Sequence, residues 1–286
     1  MLRLFLSFVA CLFLWGCSVE ETITVQNLNL TGSPSAVPLH VTNDSANALR
    51  AVLHLAPATT AALSGSFSDN VAPASGKAST TATPGALRWT LPSVVAGCDL
   101  DLPLSHAISL ALGANTSGDH WGCNTGFGFH SQNQGAAIRL DVGFQWQSLT
   151  YDVNYLKVTT TTSIFGSSAD TETVHRSETN SHGDFYAALT VNSARPVGAL
   201  NLFLQFAYAH QTLYDISSEV IVFPFFGWSD KTTVACSHVS LVPGFYIDFT
   251  PGIRVLAGAR FLWPLGIDSS QPTVLISPVL LFDVGW

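Results

Sequence analysis

The chain has 286 residues, a formal net charge of −8 and a mean hydropathy of +0.33; 47% of it is hydrophobic and only 10% charged. Soluble globular domains carry roughly 25% charged residues, so so few charges point away from an ordinary soluble surface. After the N-terminus no apolar run reaches the ~18 residues of a membrane-spanning helix, and an acidic chain without a basic patch has no counterion release to offer a nucleic acid.

The first element is MLRLFLSFVACLFLWGCSVEE. Arg3 supplies a positive start and Leu4 to Leu14 an apolar stretch too short to span comfortably, the pattern of an export signal. Its end, Leu14-Trp15-Gly16-Cys17, resembles the lipobox of bacterial lipoproteins, from which Trp15 departs because small or β-branched residues are usual there. The resemblance implies a signal peptide over residues 1–16 and acylation (palmitate among the chains) of Cys17. Ser18 is similar to the outer-membrane form of the sorting signal, which implies the lipoprotein-sorting machinery as a partner. Residues 17–60 are rich in Ser, Thr, Asn and Pro and read as a lipidated periplasmic linker. Within it Asn43-Asp44-Ser45 can cap a short helix through Leu55, although the same stretch also alternates weakly.

From about Ala61 the hydrophobic period becomes two. In AAIRLDVGFQWQ, Ile138, Leu140, Val142, Phe144 and Trp146 share one face and Arg139, Asp141, Gly143, Gln145 and Gln147 the other. The pattern returns in Leu200–Tyr208, Val239–Phe249, Ile253–Phe261 and Val274–Trp286. It is weaker in Ala61–Ser68, Leu87–Leu102 (with a phase slip near Pro92), Ala107–Asn115, Trp121–His130 and Asp184–Val191. About ten strands result, with eight to twelve allowed. Tight connections (Leu102–His106, Ser131–Gly135, Ser193–Gly198, Thr250–Gly252) alternate with long ones (Asp69–Gly85, Val158–Gly183, Ser217–Ala235). In transmembrane barrels the short turns are periplasmic, so the C-terminus and the lipid on Cys17 are both expected on that side.

A sheet face in water favours Lys and Glu. Here Lys occurs as Lys77, Lys157 and Lys231, and Glu as Glu20, Glu21, Glu172, Glu178 and Glu219, all outside the expected strands. The polar strand faces carry Gly, Ala, Ser, Asn, Gln, Asp and a few Arg, a set compact enough for a narrow lumen. Arg139, Arg254 and Arg260 are expected inside it, paired with Asp141, Asp184, Asp248 and Asp283, because buried charges need partners. An apolar outer face requires the sheet to close, since each unpaired backbone group in hydrocarbon costs several kcal/mol. Trp89, Trp121, Trp146, Tyr208 and Trp263 fall near strand ends, as in interfacial girdles.

The tail, with Leu280, Phe282, Val284 and Trp286 on alternate positions, resembles the C-terminal signal of bacterial outer-membrane β-barrels. That resemblance covers Ala61 to the end. It implies that Phe282, Val284 and Trp286 are read by the barrel-assembly machinery, with Trp in place of the usual Phe. The expected fold is all-β, a closed antiparallel up-and-down transmembrane barrel over residues 61–286 in the bacterial outer membrane.

Catalytic patterns of membrane barrels are incomplete. Asp119-His120 and His182-x-Asp184 lie near the rim, as in omptin-type proteases, but the paired acids are missing. Barrel phospholipases need Ser and His on the lipid side; His210 has that parity, with Thr212 beside it, but no Ser shares the face. His175, His182, Asp170, Glu172 and Glu178 in Val158–Gly183 have irregular spacing for a metal and read as a solvated loop. Val220–Trp228 is apolar for a loop and fits extended strands, a plug, a docking segment or a further strand. A Cys123–Cys236 disulfide requires loops folded across the mouth, and Cys98, Cys123 and Cys236 otherwise stay unpaired. No enzyme, cofactor or metal is expected. A structural or surface-interaction role through long outer loops is the first expectation, with membrane lipids as partners. A narrow solute channel and a lipid-tethered soluble β domain are the alternatives.

Overall fold

The computed structural model describes residues 18–34, 37–41, 49–55, 59–72, 79–91, 94–118, 120–131, 135–163, 165–193, 199–222, 226–250, 252–265, 267–268 and 274–285. Its strands are β1 (Ser18–Gly32), β2 (Leu49–Leu55), β3 (Thr59–Ala72), β4 (Ser79–Leu91), β5 (Val94–Pro103), β6 (Ile108–Ser117), β7 (His120–His130), β8 (Ala136–Ser163), β9 (Gly166–Ser193), β10 (Leu200–Val222), β11 (Phe226–Thr250), β12 (Ile253–Leu265), β13 (Ile267–Asp268) and β14 (Leu275–Gly285). Ten of them close on themselves in the order β2-β5-β6-β7-β8-β9-β10-β11-β12-β14. The seam is β14 against β2, with Phe282 opposite Leu53, and β2 continues to β5 with Leu53 opposite Ala96. Every neighbouring pair in the ring is antiparallel. The fold is a closed up-and-down barrel of ten strands, as the alternating pattern predicts.

Membership differs at one place. Ala61–Ser68 and Leu87–Leu91 are not barrel strands; they lie in the β3–β4 hairpin, inserted between β2 and β5. The missing stave is β2, inside the stretch read as linker or helix. β4 ends at Leu91 and β5 begins at Val94, on either side of the phase slip.

The two ends of the barrel are unequal. At one end the staves are joined by tight connections around residues 104–107, 131–135 and 251–252. At the other, β8 through β11 run on far beyond their shorter neighbours. The β8–β9 ladder is unbroken from Ala136↔Ser193 to Ser163↔Gly166, where Gly166 takes φ 138°, a conformation strained for residues with a Cβ. Val158–Ser163 and Gly166–Gly183, in the stretch expected as a loop, are thus paired strand. Val220–Val222 and Phe226–Trp228 likewise belong to the extended β10–β11 ladder, in which Val222 faces Phe226; residues 223–225 lie outside the described residues.

On these extensions sits a cap. β1 runs antiparallel to distal β8, from Ser18↔Thr162 to Thr31↔Thr150, and pairs in parallel with β4; β3 pairs with distal β11. Residues 18–32, expected as periplasmic linker, therefore lie at the long-strand end, opposite the C-terminal end of β14.

Candidate functional site

The outer surface of the ring is apolar on every stave. Leu53, Val94, Leu112, Phe127, Val142, Leu189, Leu204, Phe245, Ile253 and Leu280 are each exposed, one from each strand in ring order. Trp121, Trp146 and Trp263 stand on this outer face near the long-strand end. Trp89 does not: it is fully buried in the cap, edge-on to His238 at 5.4 Å.

β8 shows where this surface stops. From 138 to 146 its outward residues are Ile, Leu, Val, Phe and Trp, while Arg139, Asp141, Gln145 and Gln147 are buried inside. From 149 onward the same inward parity carries Leu149, Tyr151, Val153 and Tyr155, all buried, and the outward parity carries Ser148, Thr150, Asp152 and Asn154. Nothing in the strand geometry changes; polarity swaps faces. The inward apolar residues join Val25, Leu28 and Leu30 of β1 and Leu87, Trp89 and Leu91 of β4, and this cluster also takes in Leu213, Leu262 and Leu275 from the barrel. An ordinary hydrophobic core thus stoppers that mouth.

Below the stopper the chain descends through its own lumen. Residues 33–34 and 37–41 form no strand, and their peptide oxygens are held by wall side chains. Gln211 Nε2 donates to Ser33 O at 3.0 Å, Arg260 Nη2 to Val37 O at 3.2 Å, Gln205 Nε2 to Pro38 O at 2.8 Å and Arg254 Nη1 to Val41 O at 2.7 Å. His40 pairs with Asp99. Pro34 and Pro38 lack N–H groups, so the segment has fewer donors to satisfy. Leu39 and Val41 pack against Phe203, Val242, Tyr246, Leu256, Val279 and Leu281. These inward apolar residues explain why the lumen is less polar than the alternation suggests: they face a peptide, not water. The cavity remaining between His40, His54 and Asp99 measures about 30 Å³, room for roughly one or two waters.

The expected lumen charges occupy two clusters. Arg139 Nε is 2.9 Å from Asp141 and its terminal nitrogens 3.5 Å from Asp99 and Asp101; Asn124 adds a contact to Asp141 at 3.4 Å. Gly126 leaves the space for this carboxylate, since a Cβ there would lie 2.4 Å from Asp141 Oδ1. Nearer the tight-turn end, Arg254 Nε bonds Asp248 at 2.6 Å, and Asp283 receives Arg50 Nε at 2.7 Å with Arg254 Nη1 at 3.9 Å. The Arg254 guanidinium lies over the Tyr246 ring at 4.8 Å. Asp184 is bound by the Gln147 amide and by Thr212 N at 3.0 Å. Arg260 meets the Val37 carbonyl and no carboxylate among the described residues. Arg50, Asp99, Asp101 and His40 were missed, because three of them act through the threaded segment or through β2.

Phe282 and Val284 lie outward on β14, while Cys17, Asp119 and Trp286 fall outside the described residues. Cys98 and Cys123 are outward-facing free thiols and Cys236 is buried in the cap, so no Cys123–Cys236 disulfide forms. His120, His182 and Asp184 are buried inside the ring rather than displayed at a rim. No group of His, Cys, Asp or Glu able to hold a metal occurs among the described residues.

One expectation is reversed. A serine does share the outer face of His210: Ser237, directly opposite it on β11, has its Oγ 3.1 Å from His210 Nδ1. Tyr208 OH reaches the same Oγ at 2.8 Å.

No known protein family and no curated protein matches the chain. Among solved structures, the outer membrane protease OmpT from Escherichia coli aligns over 86% of this chain and 99% of its own, at 11% identity and TM-score 0.37. An outer membrane channel from Pseudomonas putida F1 aligns over 89% and 99%, at 8% identity and TM-score 0.36. A Pseudomonas aeruginosa FadL homologue aligns over 84% and 91%, at 9% identity and TM-score 0.29.

Proposed function

We propose that this chain is a bacterial outer-membrane β-barrel that is closed to solutes and works at the cell surface through its capped, strand-built projection. The face swap within β8 carries the reading. A soluble barrel has no cause to expose Ile138, Leu140, Val142, Phe144 and Trp146 and then, on the same strand, bury Leu149, Tyr151, Val153 and Tyr155. A lipid-to-water boundary between residues 147 and 149 accounts for both halves. The apolar stretch spans eight residues of rise, about 26 Å along the strand, or roughly 20 Å of height at a ~40° tilt, comparable with the ~25 Å band of outer-membrane barrels. Long strands outside and tight turns in the periplasm then set the orientation.

The barrel itself is the anchor in this reading. Ser18 pairs with Thr162, sixteen residues beyond Trp146, roughly 50 Å along β8 at ~3.3 Å per residue. An acyl group on the neighbouring Cys17 reaches the bilayer only if β1 leaves β8, so the lipoprotein resemblance and the paired cap cannot both hold in one state. Threading and stopper together favour surface presentation over a channel.

The test is extraction of native membranes with alkaline carbonate, followed by gel migration with and without boiling. The protein should stay in the pellet and migrate differently when boiled. Release into the supernatant, with one migration in both lanes, would overturn the reading.

A further inference from the structure

We propose that Ser237, His210 and Tyr208 form an esterase site on the barrel's lipid-facing surface, acting on carboxylic esters of membrane lipids; this rests on the membrane reading above. The three side chains come from adjacent strands and share the outward parity. His210 and Ser237 are direct register partners, and Tyr208 lies two residues along from His210. Oγ lies 3.1 Å from Nδ1 and 2.8 Å from the phenol oxygen, both within the hydrogen-bond reach required of a nucleophile and its base. The imidazole is held by Phe185, whose ring centroid lies 5.2 Å away at 32°. All three groups are partly exposed, whereas in the Ser109–His130 contact the serine is buried on the lumen side.

Depth selects the substrate. Across the sheet one row runs Phe144, Phe185, His210, Ser237, Leu265. Locally, the partner Leu265 lies two residues beyond Trp263, one of the outward aromatics near the long-strand end, and Val239 and Leu241 continue the apolar face on the inner side of Ser237. Ser237 therefore stands at the outer edge of the hydrocarbon band, where the acyl-ester carbonyls of a bilayer lie. A lipid diffusing along the barrel wall presents its ester to Oγ without leaving the membrane.

The chemistry balances with water as the only co-reactant. Ser237 Oγ attacks the ester carbonyl carbon while its proton passes to His210 Nδ1. Tyr208 OH, freed from Oγ, donates to the developing oxyanion. The ester C–O bond breaks, the alcohol leaves with the proton held by His210, and an acyl-serine remains. Water then attacks that acyl carbon, giving its proton to His210, and the fatty acid departs as Ser237 regains a proton.

The experiment uses the full-length folded protein in mixed micelles with a diacylphospholipid, measuring free fatty acid and covalent labelling by a fluorophosphonate probe. Wild type should release fatty acid and label at Ser237. Ser237→Ala should abolish labelling, and Ser237→Ala and His210→Phe should each lower release by about 100-fold or more. Tyr208→Phe should lower kcat by roughly 100-fold with KM little changed, as for loss of one oxyanion donor. Each variant is first shown to keep the boiling-dependent gel shift, so failure of the site and failure of the barrel are read separately. Release by wild type no faster than by Ser237→Ala, with no probe adduct, overturns the proposal.

Discussion

A substitution's cost depends on which side of the 147/149 boundary, and on which face, it falls. Val142 is 57% exposed in the middle of the apolar band; Val142→Arg should destabilise the folded barrel by about 2–4 kcal/mol, the cost of a cation near the bilayer midplane. Asn154, outward on the same strand beyond the boundary, should accept Arg within about 0.5 kcal/mol. Denaturant titration in lipid vesicles measures both, and equal effects would remove the boundary. Inside, Arg139→Met leaves Asp141 and Asp99 buried without their shared cation, at about 3–5 kcal/mol. Some of these partnerships are legible in the sequence. Arg139 and Asp141 sit two apart on one strand face, and Asp248 and Arg254 face each other across a tight hairpin. Arg50 with Asp283 and His40 with Asp99 are separated by 233 and 59 positions, and local periodicity cannot register such pairs.

Among the elements, the long alternating strands could be read because one face is exposed and apolar and the other lines a packed interior; a period of two is then obligatory. β2 escaped because it is short, Leu49–Leu55, and follows a polar segment. The β3–β4 hairpin imitated a pair of staves because it also alternates, but it supplies Leu87, Trp89 and Leu91 to a conventional core. The position of β1 had no local signal at all, since parity says nothing about which partner a strand selects. Its placement has a direct check in whole cells with a membrane-impermeant maleimide. Glu20→Cys, on β1, should label in intact cells, and Ser105→Cys, in a tight turn at the other end, only after permeabilisation. The reverse pattern would put β1 in the periplasm. The exposed β9 flank from Gly166 to Thr179 carries Asp170, Glu172, Arg176 and Glu178, charges of the kind that discourage edge-to-edge pairing.

For the molecule as a whole, a ten-stranded ring leaves little interior space, and here a peptide takes most of it. In planar bilayers the intact protein should show no steady open-channel current. Gln205→Ala with Gln211→Ala removes two of the wall donors to the threaded segment and should permit brief openings. A constant current from wild type would show that the segment leaves the lumen. The threaded segment also constrains assembly. A hoop already sealed between β14 and β2 could admit residues 33–34 and 37–41 only by passing one chain end through a bore lined with bulky side chains. The leading part of the polypeptide must instead be laid across the unsealed sheet before its last stave docks. Placement of β1 beyond the long-strand mouth and sealing of the hoop are then one event, and the finished protein is locked in place like a cotter pin in its shaft.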